Sequence, residues 1–528
     1  MKPKVALFGA SGTMGYQALQ ELWRRRERYD IVLLVRPSAR NRRLLAPYAR
    51  QAGLGVSSAS GIAQGDGLKI VWGDATRYHD VQATVQGVDW VLNAMAFISP
   101  QADYYPDMAQ AVNAEAVAHI VQAIEAQPGG AERIRLVHTG TVAATGDRLG
   151  PIRWGRVGDP LKPSIFDYYA VTKIAGERAV LESNIRRWVS LRMTYIMPTT
   201  YRDFVALTDP IMFHQPLASL MENITDRDAG FGLVNALEVP DDSRFWRRVY
   251  NMGGGPSMRC TAWEFMDRTY RLMGLSGLAA CSERRWFALR NFHMQGFRDS
   301  HILQGYLHHW RDSMDDFWAT LQADLPLGMR TIATLSRRIP PMQRMVERIA
   351  YARMRRMAES HRNGTAYWYQ QDNQARLSAF YGSRSAYESI PDWGEALPST
   401  DVEPDGCSLN HGYDEAKPSL DLDDLQGAAS FRGGRCLATQ WDGDMYATLP
   451  WRCAFGHTFT AKPATVLRAG HWCPECLAPP WNYDREARHN PFFAQVWYTN
   501  HTPDEDNVYP AEVCRDIAGA DRDQRSGR

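Results

Sequence analysis

The sequence of 528 residues has no excess of charge of either sign, because 60 Lys and Arg residues are balanced by 59 Asp and Glu residues. A formal charge of +1 provides no global field that would attract nucleic acid or an anionic membrane. The sequence also has no uninterrupted apolar run of membrane-spanning length. The composition as a whole therefore predicts neither a nucleic-acid-binding protein nor an integral membrane protein.

Cysteine is scarce, and the N-terminus lacks a secretory segment. Eight cysteines in so long a chain do not make a disulfide framework. The N-terminal stretch MKPKVALFGASGTMG runs straight into a candidate strand and glycine turn, so we expect a cytoplasmic location. No internal repeat is present, and the length predicts two to four globular domains.

Short apolar runs alternate with helical periods over the first half of the chain, as in KVALFGA, DIVLLVR, LKIVWGD and DWVLNAMA. Strands this apolar are buried on both faces, as in a parallel sheet with crossover helices. The pattern predicts an α/β fold in which residues 1–260 form a doubly wound parallel sheet that binds a dinucleotide.

The rest of the chain divides by composition into four further segments. Residues 261–400 are rich in Trp, Tyr, Phe, Met and Arg, and predict a mostly helical substrate-binding region. Residues 401–430 are acidic and contain Pro, Gly and Ser, which indicates a linker. Residues 431–483 form a compact unit rich in Cys, His and Trp, and residues 484–528 are predicted to be a C-terminal tail.

Two stretches of the helical region have a second interpretation. Aromatic and Met side chains between residues 292 and 318 suit a pocket for a bulky substrate, although ordinary helix packing gives the same pattern. The stretch RRIPPMQRMVERIAYARMRRMAES over residues 337–360 is basic and amphipathic. It permits peripheral contact with a membrane surface, although a solvated helix has the same composition.

The stretch GASGTMG places three glycines between a first strand and a first helix. Glycine permits the tight turn and a close approach of the backbone to a pyrophosphate, and the helix N-terminus supplies N–H groups for the anion. The candidate cofactor-binding residues of this loop are Gly9, Ser11, Gly12, Thr13, Met14 and Gly15.

The residue that ends the second strand selects the dinucleotide, since a carboxylate accepts from the ribose hydroxyls and an arginine accommodates a 2′-phosphate. That residue is Arg36, so the sequence favours NADP(H) over NAD(H); the alternative is a solvated basic helix start. Asp74, at the end of the third strand, could accept from the adenine amino group or could simply end the strand in a turn.

Tyr169 and Lys173 lie four residues apart in FDYYAVTKIAGERAV and therefore share one face of a predicted helix. A neighbouring ammonium favours the phenolate and would lower the pKa of the phenol from about 10 towards a value useful in acid–base catalysis. Tyr168 is a rival that lacks a lysine at this spacing. Thr139 and Thr141, in LVHTGTVAATG, both offer a hydroxyl for the substrate oxygen.

With these motifs in order, the chain resembles the extended form of the short-chain dehydrogenase/reductase superfamily over roughly half its length. The resemblance implies a Rossmann-type fold, with Tyr169 as proton donor, Thr141 as the hydroxyl residue and Lys173 as the residue that binds the nicotinamide ribose. It also implies that Pro198, after SLRMTYIM, flanks the nicotinamide. The acidic pair that follows the threonine in sugar-nucleotide dehydratases is missing here, which argues against dehydratase chemistry.

These features predict an NADP(H)-dependent oxidoreductase that interconverts a carbonyl and an alcohol on a small, bulky or hydrophobic substrate, and that forms a homodimer. One alternative is a sugar-nucleotide epimerase that retains NAD. The other is a scaffold without catalysis that senses the cofactor and binds a partner through its C-terminal module.

The C-terminal unit contains a pair of metal-ligand residues spaced by four positions and a second pair spaced by three. Cys453, His457, Cys473 and Cys476 suit tetrahedral zinc, and four protein ligands would leave a structural site without an open position. The stretch resembles treble-clef or ribbon-like zinc modules. Cys436 and His471 are rivals for a ligand position, and free buried cysteines are the alternative to a metal site.

Overall fold

The computed structural model describes residues 2–54, 61–206, 208–394, 397 and 407–511. Its strands in chain order are β1 (Lys4–Phe8), β2 (Asp30–Val35), β3 (Gly61–Gly65), β4 (Leu68–Trp72), β5 (Trp90–Asn93), β6 (Arg135–Thr141), β7 (Trp154–Gly155), β8 (Arg187–Met193), β9 (Ile196–Met197), β10 (Leu220–Glu222), β11 (Ile224–Thr225), β12 (Arg248–Met252), β13 (Arg259–Thr261), β14 (Gly296–Phe297), β15 (Arg435–Cys436), β16 (Leu449–Arg452) and β17 (Thr458–Ala461).

The helices of the first half are α1 (Thr13–Arg24), α2 (Ala39–Gln51), α3 (Tyr78–Val85), α4 (Gln101–Tyr104), α5 (Pro106–Ala109), α6 (Ala116–Glu125), α7 (Gly130–Arg133), α8 (Tyr168–Leu181), α9 (Tyr201–Val205) and α10 (Asp226–Asn235). The later helices are α11 (Ala262–Leu272), α12 (Ser300–Leu307), α13 (Met314–Asp324), α14 (Leu327–Arg338), α15 (Pro340–Ser360), α16 (Thr365–Gln370), α17 (Gln374–Tyr381), α18 (Arg384–Glu388), α19 (Leu422–Phe431), α20 (Pro474–Leu477), α21 (Tyr483–His489) and α22 (Pro491–Trp497).

Eight strands form the main sheet in the order β12-β8-β6-β5-β1-β2-β4-β3. All neighbouring pairs are parallel except β3 with β4, which is an antiparallel edge that the sequence pattern did not indicate. Val5, Ala6, Leu7 and Phe8 are all buried because helices cover both faces of the sheet. The predicted doubly wound, Rossmann-type α/β fold is confirmed.

The strand order reverses direction at β1, because the chain proceeds from β1 to β2 on one side and returns to β5 on the other. In open α/β sheets the crevice beyond the carboxyl ends of the strands at such a point is where ligands bind. The glycine loop that follows β1 and the threonines at the end of β6 both lie at this edge.

The segment after residue 260 is mainly helical, as predicted, with α11 to α18 between Ala262 and Glu388. Its aromatic side chains form compact clusters in which rings meet edge to face, such as Phe213 with Phe287 and Phe265 with Tyr195. Most of the aromatic side chains in this part therefore pack a core, which is the second interpretation that the sequence allowed.

The structure differs from the expected linker over residues 401–430 and the expected tail over residues 484–528. Residues 407–431 pack against the rest of the chain, with Leu409 and His411 buried and α19 contributing Leu425 to a hydrophobic cluster. Helix α22 buries Phe492 and Trp497, and residues 484–511 are not a tail. The acidic and polar side chains of both segments made the few apolar ones hard to recognise in the sequence, and these apolar side chains pack against the rest of the protein. The stretch GADRDQRSGR, which was predicted to be part of the tail, lies outside the described residues.

Candidate functional site

The glycine loop after β1 has the geometry that a dinucleotide requires. Gly9 has a φ of 84°, and a Cβ atom there would lie 2.7 Å from the carbonyl oxygen of Ala94. A Cβ atom at Gly15 would lie 2.1 Å from the carbonyl oxygen of Gly9, because α1 packs closely against the loop. Both positions therefore require glycine, one for the turn and one for the packing.

The start of α1 is left open to an anion. Gly12 is the N-cap residue and provides no side chain to the first N–H groups of the helix. Gly12 and Thr13 are exposed and Ser11 is half-buried, whereas Met14 is buried in the core. The residues present fit a pyrophosphate, since free N–H groups and the helix dipole both favour negative charge there.

Arg36 follows the last residue of β2 and is exposed at the edge where the glycine loop lies. Arg40, Arg42 and Arg43 are exposed on the first turns of α2. Among the described residues, no carboxylate forms an ion pair with any of these four arginines. The described carboxylates therefore do not neutralise the charge of this cluster, which begins at the end of β2.

Asp74 lies just beyond β4 and is half-buried. Its Oδ1 accepts from the backbone N–H and the hydroxyl of Thr76, both at 3.0 Å. This is the local turn that the sequence allowed as an alternative to an adenine contact. Both hydrogen bonds from Thr76 go to Oδ1 of Asp74. A contact between Asp74 and the adenine amino group stays a prediction, and it would involve Oδ2.

The structure brings Tyr169, Lys173 and Thr141 together. Tyr169 and Lys173 lie in the first two turns of α8, and Thr141 ends β6, the strand next to β5. The Thr141 side chain lies close enough to the Tyr169 phenol to lower the pKa of the phenol, against the effect of burial. The Thr141 hydroxyl also accepts from the backbone N–H of Ala143 at 3.1 Å, which fixes its position.

The two threonines of β6 have different roles. The Thr139 hydroxyl donates to the carbonyl oxygen of Asn93 at 2.9 Å and is buried between strands. The carbonyl oxygen of Thr139 accepts from the Lys173 ammonium at 2.5 Å. Thr139 thus holds the lysine through its backbone, while Thr141 is the threonine whose side chain affects the pKa of Tyr169.

The predicted lowering of the Tyr169 pKa by Lys173 is wrong for this structure. Burial raises the pKa of Tyr169 to about 12, and the carboxylates of Asp167 and Asp103 add to the increase, although the Thr141 side chain opposes it. Burial lowers the pKa of Lys173 to about 8, against the attraction of Glu177. Without a cofactor, burial therefore favours the neutral form of both side chains, the protonated phenol of Tyr169 and the deprotonated amine of Lys173.

Pro198 is buried one residue beyond β9, which runs parallel to β11. The next residue, Thr199, donates through its hydroxyl to Asp226 Oδ1 at 2.8 Å. Asp226 Oδ2 in turn accepts from Gln17 on α1 at 3.2 Å. These bonds tie the Pro198 turn to the helix that begins at the glycine loop, although they do not test a contact with nicotinamide.

A small cavity of about 40 Å³, lined by both polar and apolar side chains, lies at the N-terminus of α8, and the sequence did not indicate it. Asp167 caps the helix by accepting from the Ala170 N–H at 2.7 Å, and His293 contacts its other oxygen at 3.0 Å. Asp103 accepts from the Tyr169 N–H at 3.3 Å.

Burial, followed by the charge of Asp167, raises the pKa of Asp103 to about 8. Other residues of the wall include Ser164, His214 and Arg376.

A buried ionic network joins α8 to the C-terminal module. Glu177 pairs with Arg192 of β8 at 2.7 Å and accepts from the Ser190 hydroxyl at 2.7 Å. His471 Nε2 lies 3.0 Å from Glu177 Oε2, and Arg192 donates to the carbonyl oxygen of Ala469 at 2.7 Å. These charges hold the pKa of Glu177 well below its usual range despite burial.

The four predicted metal ligands converge in the C-terminal module. His457 Nδ1 lies 3.4, 3.5 and 3.6 Å from the sulfurs of Cys453, Cys473 and Cys476, and all four ligand atoms lie within 4.8 Å of one another. Zinc–sulfur bonds of about 2.3 Å in a tetrahedron place ligand atoms about 3.5–3.8 Å apart. The donor set and its spacing therefore fit a tetrahedral zinc ion.

The two rival ligands lie outside this cluster. His471 directs Nε2 to Glu177, and Cys436 is buried on β15 with its pKa raised by burial. Within the cluster, the hydrogen bond with Cys476 is the largest cause that lowers the pKa of Cys473, to about 5. A lowered pKa favours the thiolate, which is the form of cysteine that binds zinc.

A second group of ligand-type side chains, Asp484, His501 and Glu505, has a different character. Asp484 accepts from the Trp497 indole at 2.7 Å, and Glu505 pairs with Arg290 at 2.8 Å and with His501 at 3.0 Å. The protein itself thus satisfies these groups. We interpret this cluster as a structural network that fixes residues 484–511.

One family model matches the N-terminal part of the chain. Residues 5–201 match the family model described as NAD dependent epimerase/dehydratase family. No curated protein matches the chain.

Three solved structures are similar at low identity. DesIV, a dTDP-glucose 4,6-dehydratase from Streptomyces venezuelae solved with NAD and TYD bound, is 18% identical, with a TM-score of 0.45 and coverage of 61% of this chain and 96% of DesIV. WbmG of Bordetella bronchiseptica in complex with NAD is 15% identical, with a TM-score of 0.44 and coverage of 61% and 94%. Pen from Bacillus thuringiensis is 16% identical, with a TM-score of 0.37 and coverage of 52% and 73%.

The family match covers the glycine loop, the strands β1 to β8 and the helix that carries Tyr169 and Lys173. Residues 5–201 are therefore similar to the NAD dependent epimerase/dehydratase family, and this match spans less than half of the chain.

Proposed function

We propose that the protein is an NADP(H)-dependent oxidoreductase that interconverts a carbonyl and an alcohol on a small, bulky or hydrophobic organic substrate. The observation that carries the proposal is the convergence of Tyr169, Lys173 and Thr141 at the edge of the sheet where the glycine loop lies. The nicotinamide would supply or accept the hydride.

Each of the three side chains has a distinct task in this proposal. Tyr169 donates the proton to the substrate oxygen as the carbonyl becomes an alcohol, and Thr141 holds that oxygen by a hydrogen bond. Lys173 is placed to bind the nicotinamide ribose, as the resemblance to the family implies. Burial raises the pKa of the Tyr169 phenol to about 12, so the side chain carries the proton that a donor to a carbonyl oxygen needs.

The choice of NADP(H) is supported by the free positive charge of Arg36 and its three neighbours at the end of β2. Gly9, Ser11, Gly12, Thr13, Met14 and Gly15 would form the pyrophosphate loop, and Asp74 and Pro198 would contact the adenine and the nicotinamide. We also propose that Cys453, His457, Cys473 and Cys476 hold one structural zinc ion. Dimer formation and a cytoplasmic location stay predictions.

A screen of bulky hydrophobic ketones and aldehydes, followed by NADPH absorbance, tests the proposal. Tyr169→Phe should keep cofactor binding and reduce turnover by roughly 100-fold or more, because it removes only the proton donor. Tyr168→Phe is the matched control, because Tyr168 packs edge to face on Trp481 and reaches the carbonyl oxygen of Ala511 at 3.5 Å. Equal loss in both variants would contradict the assignment.

The second candidate is a sugar-nucleotide epimerase, which the description of the matching family favours. An epimerase that oxidises its substrate transiently would retain NAD through purification and show no net turnover of added cofactor. The cofactor content of the purified protein therefore separates the two candidates, since a reductase must exchange its cofactor in every cycle.

A further inference from the structure

Helices α14 and α15 form a hairpin that is only loosely covered by the rest of the protein. We refer to residues 327–360 as the arginine hairpin. Its buried residues are Ala333 and Ser336 on α14 and Met354 and Ala358 on α15. Most of its other side chains are exposed, so two consecutive amphipathic helices contact the protein with a narrow stripe each.

The exposed side of the arginine hairpin is unusually apolar. Twelve large hydrophobic side chains are exposed in the described part of the chain, and six of them lie in this segment of 34 residues: Leu327 (78%), Ile332 (41%), Leu335 (40%), Ile339 (44%), Met345 (55%) and Ile349 (65%). Single exposed apolar residues are common on proteins, but a concentration of this kind marks an interaction surface.

The same segment carries most of the unbalanced positive charge of the protein. It contains eight arginines and two glutamates, a formal charge of +6 in a chain whose total is +1. Both glutamates are engaged, Glu347 by Ser276 at 2.6 Å and Glu359 by Arg355 at 2.8 Å. No described carboxylate forms an ion pair with Arg344 or Arg348, so their charges face outward.

Apolar and cationic side chains alternate along one face of α15. Pro341, Arg344, Met345, Arg348, Ile349 and Ala352 line one open groove of about 490 Å³, at the spacings of three and four residues that place side chains on one side of a helix. A helix that lies in a membrane interface has this arrangement. Its apolar side chains enter the acyl boundary while arginine stems reach up to the lipid phosphates.

We propose that the arginine hairpin docks the protein onto the surface of an anionic lipid bilayer. Met345 and Ile349 would enter the bilayer interface, and Arg344 and Arg348 would bind lipid phosphates. No helix of the described residues is long and apolar enough to cross a membrane, which fits attachment in the plane of the surface.

Charge and apolarity together favour lipid over other occupants. A second copy placed hairpin to hairpin would oppose two surfaces of charge +6, which repel each other. A nucleic acid would neutralise the arginines but would leave the six apolar side chains in water. An anionic bilayer satisfies both features on one surface, because it offers phosphates above an apolar layer.

The proposal does not depend on the proposed activity, and its test requires no substrate. The full-length protein should sediment with vesicles of 30% phosphatidylglycerol and 70% phosphatidylcholine, and hardly with pure phosphatidylcholine. Binding should weaken as salt rises. Arg344→Gln with Arg348→Gln should weaken it roughly 25-fold at low salt, since each basic residue near such a surface contributes about a fivefold factor.

Met345→Glu and Ile349→Glu should each weaken vesicle binding roughly tenfold or more, because a carboxylate would enter the apolar layer. Ile62→Glu is the matched control, since Ile62 is 55% exposed on the edge strand β3, far from the arginine hairpin in the chain. Circular dichroism checks that the variants fold. An Ile349→Cys variant that carries an environment-sensitive fluorophore, in a Cys407→Ser background, should shift to shorter wavelength on anionic vesicles.

Equal binding to neutral and anionic vesicles, or no binding to either, would overturn the proposal. So would an Ile62→Glu variant that weakens binding as much as Ile349→Glu does. If sedimentation velocity shows that Ile349→Glu converts a dimer to a monomer while vesicle binding is unchanged, the surface is an interface between copies and the lipid proposal is refuted.

Discussion

His471 Nε2 lies 3.0 Å from Glu177 Oε2. The contact joins the module that holds the four metal-ligand residues to the helix that carries Tyr169 and Lys173. Glu177 is four residues after Lys173 on α8. Burial lowers the pKa of Lys173, and the negative charge of Glu177 opposes this decrease. The C-terminal module is therefore a structural support for the candidate catalytic helix.

Glu177→Gln should destabilise the folded protein by about 3–5 kcal/mol, because it leaves the buried guanidinium of Arg192 without its counter-charge. Urea denaturation measures the change. Asp241→Asn is the control, since Asp241 and Arg135 form an exposed pair that should contribute at most about 1 kcal/mol. If both variants lower the free energy of unfolding by a similar amount, the buried network does not contribute more to stability than the exposed pair.

Arg36→Ala should narrow the preference for NADPH over NADH by roughly tenfold or more, since a hydrogen bond between charged groups contributes about 1.5–3 kcal/mol. Fluorescence titration of each cofactor gives the two dissociation constants. Arg50→Ala is the matched control, because Arg50 is exposed in the last turn of α2, away from the end of β2. An unchanged preference in Arg36→Ala would refute the NADP(H) assignment.

Metal analysis should find about one zinc ion per chain, and Cys473→Ser combined with Cys476→Ser should abolish it. Chelation should lower the unfolding temperature of the wild-type protein, because bound zinc contributes to the folding of the module. Cys436→Ser is the control, since Cys436 lies outside the ligand cluster and its variant should keep the metal. Loss of zinc from Cys436→Ser would show that the ligand set is different.

Asp103→Asn should become more stable relative to the wild type as pH rises from about 4 to 8. The folded pKa of Asp103 is raised to about 8 from 3.8, so the unfolded chain binds fewer protons in this window and wild-type stability falls with pH by up to about 1.4 kcal/mol per unit. The amide of asparagine does not ionise and removes this contribution. Denaturation at pH 5 and pH 8 measures it.

The control for this experiment is Asp107→Asn, because Asp107 is exposed on α5, one turn further along the chain. Its effect on stability should be the same at both pH values. If the stability of Asp103→Asn relative to the wild type does not change between pH 5 and pH 8, Asp103 is ionised in the folded protein at both.

Several features of the site could be predicted from the sequence because they depend on local spacing. Gly9 and Gly15 mark a turn whose shape other residues cannot adopt. Tyr169 and Lys173 share a helix face because they are four residues apart, and the spacing of the Cys and His residues restricts their geometry. Alternating apolar strands and helices determined the parallel sheet for the same reason.

Other features depend on which segments that are distant in the sequence come into contact, and the local sequence pattern does not predict such contacts. Residues 407–431 and 484–511 read as a linker and a tail because their apolar side chains are few or irregularly spaced, yet they dock on the core. Asp103 and His293 reach the N-terminus of α8 from segments 66 and 126 residues away from their partners Tyr169 and Asp167.

The sequence alone determined the Rossmann-type sheet, the position of the glycine loop and the pairing of Tyr169 with Lys173, since each follows from the repeat of a strand or a helix. Only the tertiary structure decided the pKa values of Tyr169 and Lys173 and the contact between His471 and Glu177. Burial and the charges of remote segments set the pKa of Tyr169 to about 12, and those quantities exist only once the chain is folded.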